Sequence, residues 1–168
     1  WVLDNQSMKQ MGSSYLLAHG LGIPVKNAST KFQIENKGKY RIWVRTRNWV
    51  KKWDQTAAPG RFKVLLNGKA LEKTFGTEKA EWHWQNGGII ILKAGENKIE
   101  LQDLTGFDGR CDAVFLTSDM NMLLPDSGNE LADFRRNMSE EPIIPEDGGE
   151  YDLVVVGGGI AGCCAAIS

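Results

Sequence analysis

Cysteine is scarce and poorly spaced for crosslinking: Cys111 stands alone, and Cys163 and Cys164 are adjacent. Neighbouring thiols on one helix rarely bridge, and no zinc-ligand spacing occurs, so neither a disulfide framework nor a zinc site is expected. No uninterrupted apolar run approaches the roughly 20 residues that a membrane helix needs, so no membrane span is expected. An excess of one charge is missing too: 20 basic residues face 21 acidic ones. The net charge of -1 gives no field that would draw in nucleic acid or an anionic membrane. Neither an internal repeat nor a low-complexity tract interrupts the chain. Methionine is absent from the first position, where Trp1 stands. An upstream segment is therefore expected, a signal peptide among the candidates, with a periplasmic or secreted destination.

What remains is a globular composition. The 168 residues are 42% apolar and 24% charged, enough for one domain of ordinary size with a little left over. The chain carries six tryptophans, so their placement matters.

Alternation organises the first part. Apolar residues fall on every second position in Thr30–Ile34, as a half-buried strand requires. In Tyr40–Arg47, Tyr40, Ile42 and Val44 face one way while Arg41, Trp43, Arg45 and Arg47 face the other. Phe62, Val64 and Leu66 repeat the pattern before Asn67-Gly68, a pair suited to the positive φ angles of a tight hairpin turn. Ile89–Leu92 reads as a short strand buried on both faces, Ala94–Asn97 as a turn, and Ile99–Leu101 and Ala113–Leu116 as further strands. Short strands punctuated by turns predict an all-β, antiparallel, jelly-roll-like sandwich over residues 1–120. Leu131, Phe134 and Met138 then recur at helical spacing. They predict one amphipathic helix from about Ser127 to Met138, with Asp126 or Ser127 as its N-cap. Pro142, Pro145 and Gly148-Gly149 close a helix-and-linker segment, 121–150.

Residues 151–168 change character. Tyr151–Val156 is a β-branched run of the kind found in parallel sheets, and it leads straight into Gly157-Gly-Gly-Ile-Ala-Gly162. Gly157 permits the tight turn, Gly159 lets the backbone approach a pyrophosphate, and Gly162 allows close helix–strand packing. The following helix would offer unpaired N–H groups and the positive end of its dipole. This is the strand–turn–helix start of a truncated Rossmann domain. It lacks the acidic residue expected about 20 positions on and the crossover to a second strand, so the chain as given is not expected to hold a dinucleotide by itself.

The sandwich sequence also resembles a known module. Trp1-Val-Leu-Asp4, Ser14–Gly20, Trp43–Trp49, Glu81–Trp84 and Leu104–Ala113 are similar to the front module of bacterial FAD-dependent oxidoreductases, some of them labelled xanthan lyase. That module is similar to galactose-binding-like jelly rolls, including the carbohydrate-binding-like domains of golvesin and xanthan lyase type. The resemblance covers nearly the whole chain and includes the order of module, linker and glycine turn. It implies FAD as cofactor of the parent polypeptide, a flavin domain as the sandwich's partner, and a carbohydrate-related role. The Cys163-Cys164 pair after the turn departs from the small or aliphatic residues expected there.

Two readings of function follow. In the first, the sandwich recruits or orients a glycan for the flavin domain; in the second, it is a structural docking module that packs on that domain and binds no sugar. Arg45, Arg47, Trp49 and Trp53 are the candidate ligand or docking surface, since flat rings stack on sugar CH faces and guanidinium forks pair hydroxyls or a carboxylate. Docking faces favour the same residue types. Trp43 is expected to pack in the core or beneath a loop, with arginine stems covering it. Trp82 and Trp84 share a strand face opposed by His83, which lacks a visible partner and reads as structural. Asp103, Asp108 and Asp112 would be the oxygen ligands of a calcium ion by resemblance, but their spacing matches no EF-hand loop and turn capping suits Asp108 better. Cys111 reads as a small buried residue. No carboxylate pair or nucleophile–base spacing supports a hydrolase or lyase within the sandwich, and no catalytic residue is assigned.

Overall fold

In a computed structural model describing residues 1–138, 147–155 and 164, the alternating segments become strands of two antiparallel sheets. In chain order these are β1 (Val2–Asp4), the short α1 (Met8–Met11), β2 (Tyr15–His19), β3 (Ala28–Ile34), β4 (Gly38–Thr46), β5 (Phe62–Leu66), β6 (Lys69–Ala70), β7 (His83–Leu92), β8 (Gly95–Asp103), β9 (Phe107–Thr117) and α2 (Gly128–Met138). One sheet runs β1-β2-β9-β4-β7 and the other β3-β8-β5-β6. Among the described residues the chain is thus mostly β, a two-sheet sandwich with one helix of substance.

The period of two in β4 and β5 makes the core. Ile42 and Val44 from one sheet meet Phe62, Val64 and Leu66 from the other, with Phe75, Leu92, Leu101 and Cys111 filling between them. Burial pushes the Cys111 thiol up, beyond any role as a thiolate at neutral pH. Asn67 and Gly68 both take positive φ, 50° and 82°, as the hairpin turn between β5 and β6 requires.

Two local expectations are corrected, and one strand is added. β7 begins at His83 and forms a sheet edge, so Ile90 and Leu92 face inward while Ile89 and Ile91 lie exposed rather than buried on both faces. A continuous apolar run does not reveal which of its faces a neighbouring layer covers. β8 already starts at Gly95, so the turn before it is shorter than Ala94–Asn97. Tyr15–His19 is also a strand: Leu16 points to the core, while Tyr15 and Leu17 pack with Trp82 in a second cluster.

Residues Trp1–Arg135 form one compact unit, and the chain from Arg136 onward a second. In the second unit the five described residues 151–155 of the expected strand are exposed and form no strand. A parallel strand needs hydrogen-bonded neighbours, and none flanks it among the described residues. Val156 and the glycine turn, Gly157, Gly159 and Gly162 included, lie outside the described residues.

Candidate functional site

One of the four expected surface residues does not reach the surface. That residue is Arg45, at only 1% exposed. Alternation does turn it away from Ile42 and Val44, but the segment after β9 folds back over that outer face. Leu131 is buried there, and Phe134 packs edge-on against Phe115 and Trp84. Beneath this cover Arg45 Nε lies 3.1 Å from Asp112 Oδ2, one of its Nη2 hydrogens goes to the Asp126 carbonyl at 2.8 Å, and its guanidinium sits 5.9 Å above the Trp84 ring. Arg135 Nη1 donates to the same Asp112 oxygen at 2.8 Å. Trp84 fastens the cover further, its backbone N–H donating to the Asp126 carboxylate and its indole N–H to the Pro125 carbonyl. Arg45 is therefore a structural residue. A strand's period gives two faces but not the element that lands on the second.

Arg47 is half-buried above the Trp82 ring, its Nε without a partner. Burial first, and then the nearby Arg110 charge, lower its pKa. Trp43 is half-buried on the same outer face, with the Arg41 guanidinium 6.0 Å from its ring.

Trp49 and Trp53 lie at the end of the sandwich where the β2–β3, β4–β5 and β8–β9 loops meet. Four side chains fix these loops. Asp103, almost fully buried, accepts the backbone N–H groups of Val25, Thr105 and Gly106, tying two loops together. Buried Asn48 donates to the Ala57 carbonyl at 2.8 Å, and its backbone N–H reaches the Lys79 carbonyl at 2.7 Å. Asp54 accepts from the Thr56 hydroxyl, the Thr56 amide and the Ala57 amide, bonds that hold its carboxyl below the ordinary range. The Thr105 hydroxyl donates to the Pro59 carbonyl. Gly106 is indispensable here: its φ is 72°, and a Cβ would lie 2.3 Å from the Ile23 carbonyl oxygen.

On this frame the solvent-facing groups are a mixture of rings and polar atoms. Trp53 is 75% exposed and Phe107 52%. Trp49 is half-buried, its indole N–H donating to the Phe107 carbonyl at 3.2 Å and its ring lying 5.3 Å under the Arg110 guanidinium. His19 Nδ1 stands 2.7 Å from Asp108 Oδ1. With Nδ1–H donating to that carboxylate, Nε2 is left as an acceptor for a hydroxyl. Asp108 itself holds a positive φ of 56°. His19 and Asp108 are 89 positions apart, and no spacing in the sequence joins them; the only hint is the turn-rich run Gly106-Phe-Asp-Gly109.

The three aspartates that a calcium site would draw on are dispersed. Asp103 serves loop amides, Asp108 serves His19, and Asp112 lies under the C-terminal cover between two arginines. His83 is buried, with Nδ1 3.0 Å from the Glu81 carbonyl and Nε2 3.5 Å from Glu78.

No family model and no curated protein matches the sequence. Solved structures do. The chain is similar to a family 35 carbohydrate binding module from an environmental isolate, at 21% identity and a TM-score of 0.54 over 70% of this chain and 82% of that one. It is similar to a family 35 module from Clostridium thermocellum at 18% identity, with a TM-score of 0.54 over 70% of this chain and 87% of that one. A Podospora anserina GH26-CBM35 beta-(1,4)-mannanase aligns at 18% identity and a TM-score of 0.55 over 73% of this chain, which spans only 25% of the mannanase. At these identities the likeness concerns architecture: the chain shares the two-sheet β-sandwich fold of these carbohydrate binding modules.

Proposed function

We propose that the sandwich is a glycan-binding module whose contact surface is the loop end built around Trp49, Trp53, Phe107, His19 and Asp108. The observation that carries this reading is Trp53. It is a large aromatic held in solvent by a loop that Asn48 and Asp54 brace from within. An exposed ring on a rigid mount suits stacking on a sugar's CH face, and the adjacent His19–Asp108 pair supplies hydrogen bonds to hydroxyls. Arg47 remains beside the site as a second cation, whereas Arg45 takes no part. A change of Trp53 to alanine, alone and together with Phe107→Ala, should leave the melting transition within a few degrees. Each anchor lost is expected to weaken polysaccharide binding by roughly 1–3 kcal/mol, measured by affinity electrophoresis or calorimetry. Unchanged binding in the double variant would remove the loop end from consideration and favour a docking role for the sandwich.

The module's setting is proposed from the sequence. Gly157, Gly159 and Gly162 support a parent polypeptide that continues into an FAD-binding domain, the flavin supplying redox chemistry to a carbohydrate-related substrate. Among the described residues no helix is long and apolar enough to cross a membrane. A periplasmic or secreted location is proposed because polysaccharides are met there. A longer chain carrying the whole Rossmann domain, purified in folded form, is expected to show flavin absorbance; a colourless preparation would refute the oxidoreductase reading and leave glycan binding to stand separately.

A further inference from the structure

Beside the polar part of the loop end lies an apolar ledge that a bare sugar does not explain. Leu21 is 81% exposed and Ile23 74%. Between them Gly22 lies against the Phe107 ring, where an added Cβ would come within 3.0 Å of the ring's tip. Phe107 in turn is the cross-strand partner of His19, so ledge and His19–Asp108 pair adjoin. The turn is held by the Gly20 and Gly22 amides, both donating to the Gly106 carbonyl, and by the Ile23 amide donating to Gly20. Leu21 takes a φ of 51° in this turn, a left-handed conformation that a bulky side chain adopts only at an energetic cost. Glycine or asparagine would sit there without that strain. Exposed to water, this leucine gains no packing in the free protein to offset its strain, and a ligand group that covers it would supply that packing.

Resting on the glycan-binding reading, we propose that Leu21, Ile23 and Phe107 form a subsite for an O-acyl substituent of the bound glycan, an O-acetyl group being the smallest that fits. Sugar rings present hydroxyls around their rim, and two branched aliphatic side chains offer these no hydrogen bond. An acetyl methyl has the matching chemistry, and its removal from water against the ledge favours the acylated polymer by about fourfold per methyl buried.

The test compares acetylated mannan and acetylated xylan, each beside the same polymer after alkaline de-acetylation, for binding to the parent chain, Leu21→Gly and Ile23→Ala. The parent should prefer an acetylated form by roughly fourfold or more. Leu21→Gly should fold at least as well, since the strained φ suits glycine, yet lose the preference while keeping its affinity for the de-acetylated polymer. Equal binding of both forms by the parent overturns the acyl subsite and leaves glycan binding intact. No binding of any form overturns both readings. Equal binding together with self-association that Leu21→Gly abolishes would assign the ledge to a protein contact, and likewise overturns the subsite.

Discussion

Replacing Asp112 by alanine should destabilise the sandwich by about 3–5 kcal/mol, the range for breaking a buried ion pair by removing one partner. The side chain of Asp112 is wholly buried and that of Arg45 nearly so, whereas Arg135 keeps some access to water. Without the carboxylate Arg135 can turn outward, but Arg45 is left as a buried cation whose remaining bond goes to the Asp126 carbonyl. The loss should appear in urea unfolding at neutral pH, and a change below about 1 kcal/mol would show that Arg45 can escape its burial. The pH dependence has a definite sign. Burial raises the Asp112 carboxyl, with Arg135 and then Arg45 pulling it back down. The folded chain therefore keeps a proton that the unfolded chain releases near pH 3.8. This group's contribution to stability is greatest at low pH and is lost as pH rises through the raised value. That decline should be missing in Asp112→Asn.

Phe62→Ala should cost a similar amount, about 3–5 kcal/mol, for a different reason. Phe62 is fully buried between Trp1, edge-on at 5.4 Å, and Phe75, stacked at 5.8 Å. Its backbone exchanges both hydrogen bonds with Phe75, which fastens the β6–β7 loop to the second sheet. Truncation leaves a cavity between two rings that the strands on either side prevent from collapsing. Thermal denaturation should register a fall of roughly 10–20 °C for a unit of this size. Phe62→Leu, which keeps most of the volume, should lose much less. A mild effect of the alanine would mean that Trp1 swings in to fill the space.

Much of the sandwich could be read from residues that obey a simple period. Ile42 and Val44, and Phe62, Val64 and Leu66, alternate because one face of each strand meets the other sheet and the other face does not. Periodicity is silent where both faces are occupied or where a face is covered from afar. Tyr15-Leu-Leu-Ala-His19 shows no alternation because Leu16 serves the core while Tyr15 and Leu17 serve a separate cluster with Trp82. Arg45 reads as a surface residue because nothing within Tyr40–Arg47 announces that Leu131 and Phe134, some 90 positions on, lie above it. Of the loop end, exposure of Trp53 was legible, since it stands among Lys51, Lys52 and Asp54. The His19–Asp108 pair and the Leu21–Ile23 ledge were not, because antiparallel pairing of β2 with β9 brings them together and no local spacing encodes that register.

At the loop end, the side chains that hold the shape are not the apolar ones that project into solvent. Asn48, Asp54 and Asp103 spend their hydrogen bonds inward on loop amides and carbonyls, whereas Leu21, Ile23, Trp53 and Phe107 project outward with few ties to the frame. Mutational drift at the outward four positions changes what a ligand meets without touching the bonds that set the loops. A lineage can thus exchange one recognition preference for another through single substitutions, each passing through a folded intermediate.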